Sequence, residues 1–348
     1  MERDEKLGFQ CGVTTANVNN MNKQMSSVSP PAGSETTRNL VFEIFIQPGF
    51  SDLELAAVTS VLRTANEVLN RDQFTWQITS DVPGLVNSCS ELIARAQPSI
   101  GDQYLRDYLV VIAGRDSPPN GWMIRLRAMQ KFQRRVVLLS DAAREYVKTV
   151  NVQNGRMAAH WRDVSLLREI GSFPMLSDRL VEVNGGILTC AGHGHTLEAM
   201  IGILADVLDP GECAEIASLL VLENVRSFSQ DQPKGTSYNP NFFEKRLQKA
   251  LRLMETNIEH PLRLADLAEQ VGLSSRHLER LFTVYFNTTP AKLYKRTRLK
   301  RAHKLVTDSH MALIEIAIAC GFSSAASFSQ AYKAEFGETP TQLRRKKR

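Results

Sequence analysis

Arg276, Glu279, Arg280 and Thr283 are spaced three and four residues apart, so a helix would carry all four side chains on one face. That set of groups suits a nucleic acid. An arginine fork pairs with guanine acceptors or a phosphate, and a glutamate accepts from the cytosine amino group. The stretch from Lys292 to Lys300 holds five Lys/Arg, a supply of phosphate contacts. The excess is regional: Asn241 to Arg348 carries 20 Lys+Arg against 10 Asp+Glu, while residues 1–240 carry 22 against 27. Charge of this kind also fits a solvated helical surface or a membrane-surface patch, so the order of residues inside the segment has to decide.

The elements that would position these groups divide the chain. Residues 1–38 are rich in Asn, Ser, Thr, Pro and Gly without apolar periodicity, which predicts a disordered tail. Over residues 39–210 strand and helix patterns alternate. Leu40-Val-Phe-Glu-Ile-Phe-Ile, Phe74-Thr-Trp-Gln-Ile-Thr, Tyr108-Leu-Val-Val-Ile-Ala-Gly and Arg135-Val-Val-Leu-Leu read as strands, with helical spacing over Leu53 to Asn70 and Gly121 to Phe132. This predicts a doubly wound, flavodoxin-like α/β domain with a parallel sheet covered on both faces. Residues 211–240 contain a predicted helix, Cys213 to Ser227, and then a polar linker of about fourteen residues with two prolines and a glycine. Residues 241–348 show helical periodicity only.

No apolar run approaches the ~20 residues of a membrane helix and no secretory pattern opens the chain, so the expectation is a soluble, cytoplasmic protein without a membrane partner. The five cysteines, Cys11, Cys89, Cys190, Cys213 and Cys320, never form a Cys-x-x-Cys pair and suggest neither a disulfide framework nor a zinc site.

The helical third contains a repeat with a period of about fifty residues. Leu264, Leu267, Ala268 and Val271 precede Gly272; Ser274 then opens a stripe of Leu278, Leu281, Phe282 and Tyr285 that ends in Phe286-Asn-Thr-Thr-Pro. Leu313, Ile316, Ala317 and Cys320 precede Gly321; Ser323 opens a stripe of Phe328, Ala331 and Tyr332 that ends in Phe336-Gly-Glu-Thr-Pro. Asn287 and Gly337 are residue types that close helices in the left-handed conformation. Each copy reads as a helix, a glycine turn and a Ser-capped second helix, the helix-turn-helix arrangement. Two such units would reach successive major grooves about 34 Å apart.

On the stretches Leu264-Ala-Asp-Leu-Ala, Ser274-Ser-Arg-His-Leu-Glu-Arg-Leu-Phe, Arg298-Leu-Lys-Arg-Ala, Ile314-Glu-Ile-Ala-Ile-Ala-Cys-Gly-Phe and Phe336-Gly-Glu-Thr-Pro, residues 241–348 resemble the AraC/XylS-type DNA-binding domain. The resemblance implies an all-α domain with two helix-turn-helix units joined by a long helix. It makes Arg276, Glu279 and Arg280 contacts of the first recognition helix, and Ala325, Ala326, Ser329 and Gln330 those of the second. The second helix departs from the pattern by its small side chains.

Residues 39–210 resemble the PfpI-type, class I glutamine amidotransferase-like domain of GlxA-type AraC regulators, on Pro48-Gly-Phe-Ser-Asp-Leu-Glu-Leu, His160-Trp161 and Gly185-Gly-Ile-Leu-Thr-Cys-Ala-Gly. Catalytic relatives carry a cysteine at a strand-to-helix turn; here that turn reads Leu139-Ser140-Asp141. A serine nucleophile needs a positioned base, and Asp141 would oppose oxyanion charge. Ser140 therefore reads as a turn or helix N-cap lining a crevice that binds rather than cleaves. Asp52 reads as a helix cap or a crevice acid, and His160 and Trp161 as core or pocket wall. With these, Phe50, Gly114, Asp141 and His193 complete the candidate ligand set. His193 and His195 lack further metal ligands, so neither metal nor cofactor is expected.

The leading expectation is a transcriptional regulator, an activator, that binds promoter DNA as a homodimer, contacts RNA polymerase and responds to a small effector. The resemblance points to amino acids or quaternary amines. The alternatives are an amidotransferase-like hydrolase with an appended DNA-binding module, and a helical protein-interaction module.

Overall fold

The computed structural model describes residues 39–99, 104–115, 117–150, 155–170, 175–233, 235 and 242–347. The tail expected over 1–38, and residues 234 and 236–240 of the expected linker, lie outside the described residues. The chain divides into two compact units, the first within Met1–Val164 and Phe173–Gln232, the second within Ser165–Ser172 and Pro233–Arg348.

The first unit is built on an eight-stranded sheet of order β3-β4-β2-β1-β5-β6-β10-β9. Its members are β1 (Leu40–Ile46), β2 (Phe74–Ser80), β3 (Gly84–Asn87), β4 (Ile93–Pro98), β5 (Tyr108–Ile112), β6 (Arg135–Leu139), β9 (Val181–Asn184) and β10 (Ile187–Cys190); β7 (Met157–Ala158) and β8 (Leu176–Ser177) pair separately. The run from β2 through β1, β5 and β6 to β10 is parallel. This is the doubly wound order expected of near-continuous Val/Ile/Leu strands. The edges differ from the parallel expectation: β3 pairs antiparallel with β4 and β9 with β10. Gly84 at φ 108° and the adjacent Gly185 and Gly186, at φ 57° and 87°, admit the turns these edge strands need.

Phe42, Ile44, Ile46, Val110, Ile112, Val137 and Leu188 share one apolar core with Val58, Val61 and Leu62 of α1 (Asp52–Leu69), with α5 (Thr196–Leu204), and with Ile216 of α6 (Pro210–Leu219). Alternate strand residues, Phe45, Val111 and Leu138, are buried on the opposite face. Between these helices along the chain lie α2 (Asn120–Lys131), α3 (Ser140–Thr149) and α4 (Trp161–Ile170).

The helix expected over Cys213 to Ser227 is corrected to Pro210–Leu219. Asp209 caps it through a capping box, Pro210 occupies its first turn, and Val221 at φ 56° turns the chain out of it. The start of the expected linker is also not free chain. Phe228 and Gln232 are each 2% exposed, and the Gln232 amide donates to the carbonyls of Ala159 and Arg179, both at 2.8 Å.

The second unit is helical: α7 (Lys245–Thr256), α8 (Leu264–Gln270), α9 (Ser275–Phe286), α10 (Pro290–Asp308), α11 (Leu313–Ala319), α12 (Ala325–Phe336) and α13 (Pro340–Lys347). One core joins α7, α8 and α9 with Tyr294; a second joins Leu299 and Leu305 with Ile316, Cys320, Phe328 and Tyr332. The long α10 thus supplies side chains to both repeats. Ser274 accepts from the His277 amide and Asn287 closes α9 at φ 49°. In the second repeat the cap is Ser324, not Ser323, because one more residue separates the turn glycine from the helix.

Candidate functional site

In a doubly wound sheet the ligand crevice lies beyond the carboxyl ends of the strands, where the strand order reverses. Here the reversal falls between β1 and β5. Around those ends stand Gln47 to Phe50 after β1, Gly114 after β5, Ser140 after β6 and Ala191 to His193 after β10. Gly114 is required there, since a Cβ would collide with the Pro48 carbonyl.

Ser140 sits at a sharp turn. Its φ is 35°, a strained value for a residue with a side chain, and it is 4% exposed. The N-cap reading of Ser140 is corrected. It is the first residue of α3, no side chain caps that helix, and the Ser140 hydroxyl donates to Glu54 Oε1. Glu54 comes from the first turn of α1, is 1% exposed, and also accepts the His193 amide at 2.7 Å. Burial raises its pKa above the ordinary carboxylate range, against the lowering effect of these hydrogen bonds. Gly192, at φ 75°, closes the group: a Cβ would strike both Ser140 Oγ and the Glu54 carboxyl.

Asp52 does not cap α1; Ser51 does, accepting from the Glu54 amide at 3.3 Å. Asp52 instead faces Ser90 and the Cys89 thiol, whose Sγ lies 3.5 Å from its Oδ1, and these donors hold its carboxyl below the ordinary range, the Ser90 bond foremost. Phe50 belongs to the apolar core at 1% exposure and does not line a crevice. Asp141 is pushed up by burial, opposed by Arg144, whose Nη1 lies 3.2 Å away. Arg144, 4% exposed, donates to the Arg115 carbonyl at 2.7 Å.

The structure brings two of the histidines together. The His160 and His193 rings meet edge to face at 4.9 Å, with Trp161 5.5 Å from His160 and its amide donating to Gln232 Oε1 at 2.8 Å. His195 turns inward, with Nδ1 2.8 Å from Glu198, which Arg226 also binds at 2.7 Å. Among the described residues no group of three His, Cys, Asp or Glu side chains is placed to hold a metal ion.

The residues missed by sequence are Glu54, Gly192 and Gln232 as contacts. Glu54 did leave a signal: it shares the helical face of Val58, Val61 and Leu62, where a carboxylate has no place unless something holds it. Chemically, the Ser140 hydroxyl is engaged by the Glu54 carboxyl rather than by a histidine imidazole, the partner that activates the nucleophile in a Ser-His pair.

In the second unit Arg276, Glu279, Arg280 and Thr283 are all exposed on α9, as are Lys292 and Lys300 on α10. On α12, Ala326 and Gln330 are exposed, and Ala325 and Ser329 half-buried. Residues 267–346 match the family model described as a helix-turn-helix domain. Over 87% of its length the chain is 27% identical to the HTH-type transcriptional regulator CdhR of Pseudomonas aeruginosa, covering 91% of it. It is 29% identical to the HTH-type transcriptional regulator GlxA of Rhizobium meliloti, over 90% of this chain and 99% of that one. A solved transcriptional regulator from Chromobacterium violaceum, described by its AraC-type DNA-binding domain, is 44% identical over 29% of this chain and 90% of its own, with a TM-score of 0.28.

The chain belongs to the AraC family of transcriptional regulators. As an AraC-family regulator it binds DNA through its helix-turn-helix domain, and CdhR and GlxA, which it matches over most of their length, are transcriptional regulators. Its first unit has the α/β architecture that the PfpI-type resemblance implies. No described helix is long and apolar enough to cross a membrane.

Proposed function

We propose that this AraC-family regulator is controlled by a small polar metabolite bound without turnover at the strand ends of the first unit, and that it activates transcription as a homodimer in contact with RNA polymerase. The observation that carries the reading is the turn at Ser140: the strained elbow is kept, but its hydroxyl is tied to buried Glu54. Asp141, His160, His193 and Trp161 supply the adjoining acid, polar and aromatic wall. A ligand with a cationic head fits that wall, as in amino acids and quaternary amines. On the DNA side, Arg276, Glu279, Arg280 and Thr283 read bases or grip backbone, Lys292 and Lys300 neutralise phosphates, and Ala325, Ala326, Ser329 and Gln330 make the second groove contact.

Thermal unfolding of the whole chain across a panel of amino acids and quaternary amines tests this. A ligand at a hundred times its Kd adds about 2.7 kcal/mol, and Asp141→Asn with His193→Ala should abolish the shift for that ligand only. Turnover of an amide substrate that disappears in Ser140→Ala would replace the sensor with a hydrolase.

A further inference from the structure

The two repeats share a turn and differ in what the turn touches. Gly272 and Gly321 close the first helix of each unit at φ 68° and 69°. A Cβ on Gly272 would meet nothing within 4 Å. A Cβ on Gly321 would lie 2.6 Å from the Ile258 carbonyl oxygen, 2.8 Å from that of Glu259 and 2.9 Å from Pro261 Cδ. The second turn is therefore pressed onto the segment that links α7 to α8 in the first repeat. Only glycine permits that approach.

Arg298 holds the contact from the other side. Lying on α10, it donates from Nη1 to the Gly321 carbonyl at 2.7 Å, and its guanidinium stacks 4.7 Å from the Phe322 ring centre and 6.0 Å from that of Tyr294. One turn earlier, the Tyr294 hydroxyl donates to the Asn257 carbonyl at 2.5 Å and receives the Leu262 amide at 3.3 Å. The segment 257–262 is thus gripped by Tyr294 and by the turn at Gly321, while Ile258 is buried in the core of the second repeat. A long helix alone would leave its two ends free to twist; these contacts tie the second turn to the first repeat directly.

We propose that Arg298 and Gly321 form a joint that fixes the separation and angle of the two recognition helices, so that the protein reads DNA sites of one spacing only. This rests on α9 and α12 both entering the groove. It also gives the small side chains of α12 a role: a helix delivered to its groove by the joint adds shape and backbone contact without long side chains of its own. Arg298 is a positioning residue and touches no base.

The test uses the full-length chain and a duplex that it selects from a random-sequence pool, with one base pair inserted or removed between the two protected segments. Each base pair turns the second segment by about 35° and moves it about 3.4 Å, and wild type should lose at least about tenfold in affinity. Arg298→Met keeps the apolar stem but not the bond to Gly321; it should bind the selected spacing less well and the altered ones to within about threefold of it. An unchanged spacing profile, or an equal loss at every spacing, overturns the joint. Gly321→Ala and Gly272→Ala carry the same backbone strain, yet only the first meets the Ile258 and Glu259 carbonyls. Only Gly321→Ala should shift the preferred spacing, and equal behaviour of the two would overturn the proposal. If the chain selects no sequence at all, the groove reading itself fails and the joint falls with it.

Discussion

The two units place their polar chemistry in opposite ways. Buried polar and charged residues among those described run from Glu43 to Gln232, all in the first unit, including Glu43 and Glu54 at 1% exposure and Arg144 at 4%. Among the described residues of the second unit no polar or charged residue is buried as a whole, and Arg276, Arg280, Lys292 and Lys300 stand in solvent. Enclosed charge is stabilised only by named partners and so discriminates between occupants; exposed charge is free to meet a polyanion and is screened by salt. The first unit encloses its charge among partners, and the second holds it where a polyanion can meet it.

Breaking the enclosed chemistry should have the largest effect. Arg125 Nε lies 2.5 Å and 2.6 Å from the two oxygens of Glu43, which also accepts from Thr79 Oγ1 at 2.9 Å. Arg125→Met strands that carboxylate, and urea unfolding of the first unit should show a loss of about 3–5 kcal/mol, largely recovered by Glu43→Gln in the same chain. A loss below about 1 kcal/mol would mean that the pair behaves as a surface one.

The exposed side is weaker and different in kind. Arg280→Ala should weaken the selected site by about 1–3 kcal/mol and leave random duplex nearly unchanged, whereas Lys300→Ala should weaken both alike and lower the salt slope by about 1. Equal loss on both duplexes for Arg280→Ala would move that residue to the phosphate contacts. Binding by Gln330→Ala should fall by less than Arg280→Ala, because α12 presents small neighbours around it.

Glu54 sharpens the contrast through pH. Its folded pKa is raised, so the folded protein holds the proton more tightly than the unfolded chain. Its stabilising contribution is complete below the ordinary glutamate pKa and is lost as pH rises through the raised folded value. Glu54→Gln keeps acceptors for Ser140 and the His193 amide and should flatten that part of the stability curve. An unaltered pH profile would show that another group sets it.

Legibility followed the same division. The helix-turn-helix repeat was readable because its determinants are local: caps, left-handed closures and apolar stripes lie within a few residues of what they shape. Even there, Ser324 rather than Ser323 capped α12, a shift that one added residue produces. In the first unit the central strands announced themselves by unbroken apolar runs, while the edge strands β3 and β9 are four residues each and carry polar residues. The crevice was harder because Glu54, Ser140 and Gly192 are brought together from three distant segments. Ser140 was found through the turn it occupies. Glu54 required noticing a carboxylate on an apolar helical face.

The most direct test of the account joins the two units. A metabolite that binds the strand-end crevice and acts on transcription must change the DNA affinity of the intact chain, and DNA must change its affinity for the metabolite by the same factor, within about 5–150-fold for ordinary coupling. Titrating the selected duplex with and without the stabilising metabolite, and the metabolite with and without duplex, gives both factors. Equal factors different from one are the predicted result; a crevice ligand that leaves DNA affinity untouched would contradict it.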